Sequence, residues 1–114
     1  MVRRLCLILL LLAGCSKGPE ADLQYIKQAR SLGAEWALVN EQADRGQLSK
    51  TYVRSMRQWL RKELQSASGA LIEPESRYAL EIQALLAQPD DAEPNELRAR
   101  VAALKQIETS LESS

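Results

Sequence analysis

The chain of 114 residues has no histidine and two cysteines, and its formal charge is zero. Each shortage removes a class of chemistry. Without histidine, the commonest general base and nucleophile activator is gone. Cys6 lies in the apolar leader, so a chain processed beyond it keeps one thiol, Cys15. An intramolecular disulfide is then impossible, and zinc, haem and iron–sulfur sites lose their usual ligands. The charge balance offers no positive surplus for a phosphate backbone, which argues against a nucleic-acid partner. Gly-x-Ser-x-Gly, Ser-x-x-Lys, Walker and dinucleotide-glycine patterns are all missing. Neither an enzyme, a metal site nor a cofactor is expected.

What is present begins at the amino terminus. Arg3 and Arg4 precede an aliphatic run, Leu5-Cys6-Leu7-Ile8-Leu9-Leu10-Leu11-Leu12, followed by Ala13-Gly14-Cys15. A short basic segment before a brief apolar one is the secretory-signal pattern. At a rise of about 1.5 Å per residue the run reaches roughly 12 Å, well short of a ~30 Å hydrocarbon core. It is too short to be a stable transmembrane helix.

Leu12-Ala13-Gly14-Cys15 resembles the lipobox of bacterial prolipoproteins at all four positions. That resemblance implies cleavage between Gly14 and Cys15 and covalent lipid on the Cys15 thiol. Residues 1–14 then form a signal peptide, 15–19 a lipidated tether and 20–114 a helical domain. Two or three acyl chains, at ~0.8 kcal/mol per buried CH₂, anchor durably where one chain does not. Ser16 stands where an aspartate would imply inner-membrane retention, so the resemblance implies the cell envelope, and the outer membrane in a Gram-negative organism. After loss of Arg3 and Arg4, thirteen basic residues face 15 acidic ones, a balance of −2.

The remainder is long enough for one domain with a modest core. Repeats and low-complexity tracts are absent, and glycine and proline serve as punctuation at Gly46, Gly69, Pro74, Pro89 and Pro94. Between these marks apolar residues recur at helical spacing and never alternate for long. Four helices are predicted. The first covers residues 19–45, with a stripe of Tyr25, Ala29, Leu32, Trp36, Val39 and Ala43 and a left-handed stop at Gly46. The second is capped by Ser49, stapled by Leu48 and Val53, and striped by Val53, Met56, Leu60, Leu64 and Ala67. The third covers residues 74–88 and buries Tyr78, Ile82, Leu85 and Leu86; the fourth starts near Pro94 and carries Leu97, Val101, Leu104, Ile107 and Leu111. Connections of three to five residues favour antiparallel neighbours. The expected fold is all-α, a small up-and-down helical bundle, with a helical hairpin as the alternative.

Charge is unevenly placed. Residues 45–62 hold six cations and no acid, while residues 73–96 hold seven acids and Arg77 alone. Lys50, Arg54, Arg57 and Arg61 keep helical spacing and form a basic stripe about a quarter turn from the apolar one. The stripe either faces anionic lipid, lipopolysaccharide or an acidic partner, or faces the acidic half of the same molecule or simply water; the second is the plainer reading. Trp36 belongs mid-stripe in the core. Trp59, beside Tyr52, sits at the stripe's edge, between core margin and exposed contact. The acid pairs Glu73 with Glu75 and Asp90 with Asp91 flank helix starts, where the dipole alone favours them. Two functions are expected from these features. The first is a non-enzymatic envelope lipoprotein, bound to the membrane by lipid, whose body engages a partner protein as a structural, accessory or inhibitory subunit. The alternative is a membrane-active lipoprotein whose basic amphipathic helix binds anionic lipid or lipopolysaccharide.

Overall fold

The computed structural model describes residues 18–113, and the signal peptide expected at residues 1–14, with Gly14 and Cys15 of the expected cleavage and lipidation site, lies outside them. Four helices follow in order: α1 (Gly18–Asp44), α2 (Lys50–Gly69), α3 (Arg77–Leu86) and α4 (Pro94–Ser113), with no strand among the described residues. Local chemistry sets most of their limits. Gly46 closes α1 at φ 70°, a conformation that costs a side-chain-bearing residue energy. Ser49 Oγ accepts the Tyr52 amide at 3.1 Å and starts α2.

The third helix is shorter at both ends than the spacing predicts. Ser76, rather than the Pro74 region, is its N-cap: Ser76 Oγ accepts the Ala79 amide at 3.2 Å and donates to the Glu73 carbonyl at 2.8 Å. That pair of bonds turns residues 73–76 and postpones the helix until Arg77. The connections at 70–76 and 87–93 are accordingly longer than expected.

Cross-helix pairs give the topology. Arg57 meets Asn40 and Arg61 meets Trp36, so α1 and α2 run antiparallel. Lys27 meets Glu112, Arg30 meets Glu108 and Arg98 meets Glu41, so α4 is antiparallel to α1 as well. Gln83 donates to Ser68 Oγ at 2.8 Å across the α2–α3 pair. The result is an up-and-down four-helix bundle. It is compressed along one diagonal: α1 touches α3, whereas α2 and α4 do not approach within 8 Å between Cα atoms. Gly33 stands at that pinch. A Cβ there would lie 2.8 Å from Val101 Cγ2 and 3.0 Å from Leu85 Cδ2, so the bare backbone is what lets α1 close on α3 and α4.

The core is continuous through Ile26, Trp36, Leu60, Leu64, Ile82, Leu85, Leu97 and Leu104. The stripe on α1 is broader than predicted, because this helix has neighbours on three sides. Ile26, Ala37 and Asn40 join it, while Tyr25 and Ala43 are only half-buried. Met56, Leu86, Val101 and Leu111 are likewise half-buried at the core's margin.

Candidate functional site

Helix α2 presents two different flanks. Its buried stripe is Val53, Leu60, Leu64 and Ala67. At about 100° per residue, Lys50, Arg54, Arg57 and Arg61 fall on one side of that stripe and Tyr52 and Trp59 on the other.

The basic flank divides in two. Arg61 turns inward over Trp36, its guanidinium carbon 5.1 Å from the ring centroid. It donates to the carbonyls of Leu86 at 2.7 Å and Gln88 at 2.9 Å, and pairs with Asp90 Oδ1 at 3.0 Å. Trp36 Nε1 donates to the Asp90 carbonyl at 3.0 Å. Asn40 Nδ2 bridges the carbonyls of Asp90 and Ala92, and Asn40 Oδ1 accepts Arg57 Nε at 2.9 Å. Side chains from α1 and α2 therefore clamp the α3–α4 connection through its otherwise unpaired carbonyls. The plainer sequence reading holds for Arg61, which meets the acidic segment at Asp90.

Lys50 and Arg54 differ from it. Both are exposed and have no ion-pair partner among the described residues. Together with Arg57 they rim a cleft of about 410 Å³ with an apolar floor of Ala43, Leu48 and Val53. Lys62 is also exposed and unpaired among the described residues.

The aromatic flank is open. Trp59 is 48 % exposed and Tyr52 49 %, whereas Trp36 and Tyr78 are buried. Half-buried Met56 lies between them on the same face. Trp36 therefore belongs to the core, as expected, and Trp59 is exposed rather than enclosed at the core's margin.

The chain matches no protein-family model, and neither a curated protein nor a solved structure is similar to it.

One buried cluster escapes the apolar-stripe reading. Asp22 is fully buried on α1 and accepts the amides of Ile72 at 2.7 Å and Glu73 at 3.0 Å and the Tyr78 hydroxyl at 2.6 Å. Burial first, and the bond to Asp22 second, push the Tyr78 phenol up to about 12. The available signal is positional: Asp22 stands four residues before Ile26, and Asn40 four after Trp36, each a polar residue in an apolar register. Every strong donor around Asp22 is satisfied, so the cluster is a clip on the α2–α3 connection. Glu73 and Glu75, and Asp90 with Asp91, lie in connections rather than facing one another across a cleft. Among the described residues no group of three metal-ligating side chains converges, and no helix is long and apolar enough to cross a membrane.

Proposed function

We propose that this protein is a lipid-anchored envelope lipoprotein whose helical body binds a partner protein as a non-enzymatic structural, accessory or inhibitory subunit. The lipobox-like Leu12-Ala13-Gly14-Cys15 supports the anchor. The observation that carries the binding role is the solvent-facing pair Tyr52 and Trp59 on one flank of α2. Tryptophan and tyrosine dominate interface hot spots because they bury a large rigid area and keep a polar handle. Both rings lie on the face away from α3 and keep about half their surface in solvent, area that a partner can cover.

The test is a photo-crosslinking residue in place of exposed Ser55, between Tyr52 and Trp59 on that flank, in intact cells. One dominant envelope protein should be captured, and Tyr52→Ala should weaken that partner's affinity at least tenfold, about 1.4 kcal/mol. Folding stability should fall by no more than about 1–2 kcal/mol, so the variant is still folded when its affinity is read. Labelling spread evenly over abundant envelope proteins, unchanged by Tyr52→Ala, sinks the reading.

The membrane-active reading has less to draw on. Arg61 is engaged within the molecule, which leaves Lys50, Arg54, Lys62 and the terminal nitrogens of Arg57 to meet an anionic surface, at about 1 kcal/mol for each residue.

A further inference from the structure

The cleft at the start of α2 goes beyond the partner-binding reading and is independent of it, since it lies on the opposite flank from Tyr52 and Trp59. Three features make it a receptor for a defined ligand class. Lys50, Arg54 and Arg57 bring three cations to one rim. Arg57 is preorganised, because Asn40 Oδ1 holds its Nε at 2.9 Å while no bond engages its two terminal nitrogens among the described residues. Asn40 itself is buried and fixed by the Asp90 and Ala92 carbonyls, so the arginine rests on a rigid support. A guanidinium held by one nitrogen still offers a planar pair of donors to a carboxylate or phosphate. Beneath the rim, Ala43, Leu48 and Val53 supply an apolar floor. The acid at the margin, Asp90, is paired with Arg61 at 3.0 Å.

We infer that this cleft binds an organic anion with a short aliphatic arm, an alkyl phosphate in the simplest case, with the headgroup on Lys50, Arg54 and Arg57 and the arm on the floor. Its volume of about 410 Å³ lies within the range of small-molecule sites. The same chemistry could be supplied by a soluble metabolite or by a lipid headgroup. Ala43 lies about 38 Å along α1 from Gly18, so a lipid of the anchoring bilayer reaches the cleft only when α1 lies along the membrane.

The experiment is an NMR titration of the full-length protein in phosphatidylcholine nanodiscs with butyl phosphate, inorganic phosphate and butanol. Butyl phosphate should give saturable shifts confined to amides of residues 43–58 and bind at least tenfold more tightly than inorganic phosphate. Lys50→Gln and Arg54→Gln, which remove no internal bond, should each weaken it several-fold. Loss of butyl phosphate binding on exchange into phosphatidylglycerol nanodiscs assigns the site to lipid headgroups; retention assigns it to a soluble anion. Three results overturn the inference: no saturable shift, equal affinity for inorganic and butyl phosphate, or binding unchanged in both glutamine variants.

Discussion

Asp22 shows what a single buried charge can do when all its partners are supplied. Its carboxylate accepts three bonds from the α2–α3 connection and the first turn of α3. Removing it would strand the Tyr78 hydroxyl in the interior and leave the part-buried amides of Ile72 and Glu73 without their acceptor, and each unsatisfied donor costs about 1–3 kcal/mol, least where water can reach it. Asp22→Ala should therefore destabilise the protein by about 3 kcal/mol or more, read by urea unfolding. A loss below about 1 kcal/mol would mean that water replaces the clip. Tyr78 adds a pH dependence with a definite sign. Folding holds its phenol neutral up to about 12, against an ordinary value of 10.0. The stability gained from keeping that proton is complete below pH 10.0 and is lost as the pH rises toward 12. Tyr78→Phe should cost about 1 kcal/mol at neutral pH and flatten the alkaline limb of the stability profile. An alkaline limb unchanged by the substitution would assign it to other groups.

At the scale of the helix, residues that look equivalent in the sequence separate sharply. Arg54 and Arg61 share one stripe, yet Arg54 meets solvent and Arg61 holds two backbone carbonyls and Asp90. Arg54→Gln should leave stability within about 0.5 kcal/mol. Arg61→Lys keeps the charge but not the planar fork, and should cost about 1–3 kcal/mol in thermal or urea unfolding. Equal effects would break the distinction. Gly33 poses a second contest. Alanine gains about 1 kcal/mol of helix propensity but places a methyl against the stiff Val101 side chain, where overpacking costs about 1–3 kcal/mol. Gly33→Ala should be destabilising, and combining it with Val101→Ala should recover part of that loss in a double-mutant cycle. These cases also mark how far sequence alone reaches. Helix number, the Ser49 cap and the Gly46 stop are legible because they depend on neighbours three or four residues away. The Ser76 start of α3 is not, since it competes with an equally plausible proline three residues upstream from Arg77. The basic stripe is readable as a stripe, but its division between clamp and cleft depends on contacts 17 to 29 residues distant. The Asp22 clip depends on partners 50 to 56 residues away.

For the whole molecule, the proposed anchor and the proposed contact face act together through α1. Trp36, level with Arg61 on α2, lies about 27 Å along α1 from Gly18. A partner on the Tyr52–Trp59 flank is then held within a few nanometres of the lipid attachment, and the bilayer concentrates both proteins in one layer. Tethering of this kind raises the effective concentration without adding any contact. Anchor and interface should consequently come apart experimentally. Native protein purified from membranes should have an intact mass corresponding to a chain beginning at Cys15 plus diacylglycerol, and Cys15→Ser should abolish that species. In cells, Cys15→Ser should sharply reduce crosslinking from position 55, while the lipidated protein and the variant, once both are dissolved in detergent, should bind the captured partner with the same affinity. Equal crosslinking in cells would show that the partner is not held in the same membrane. A free thiol at the first residue of the mature native chain would remove the anchor altogether and leave the α2 flank to account for partner binding alone.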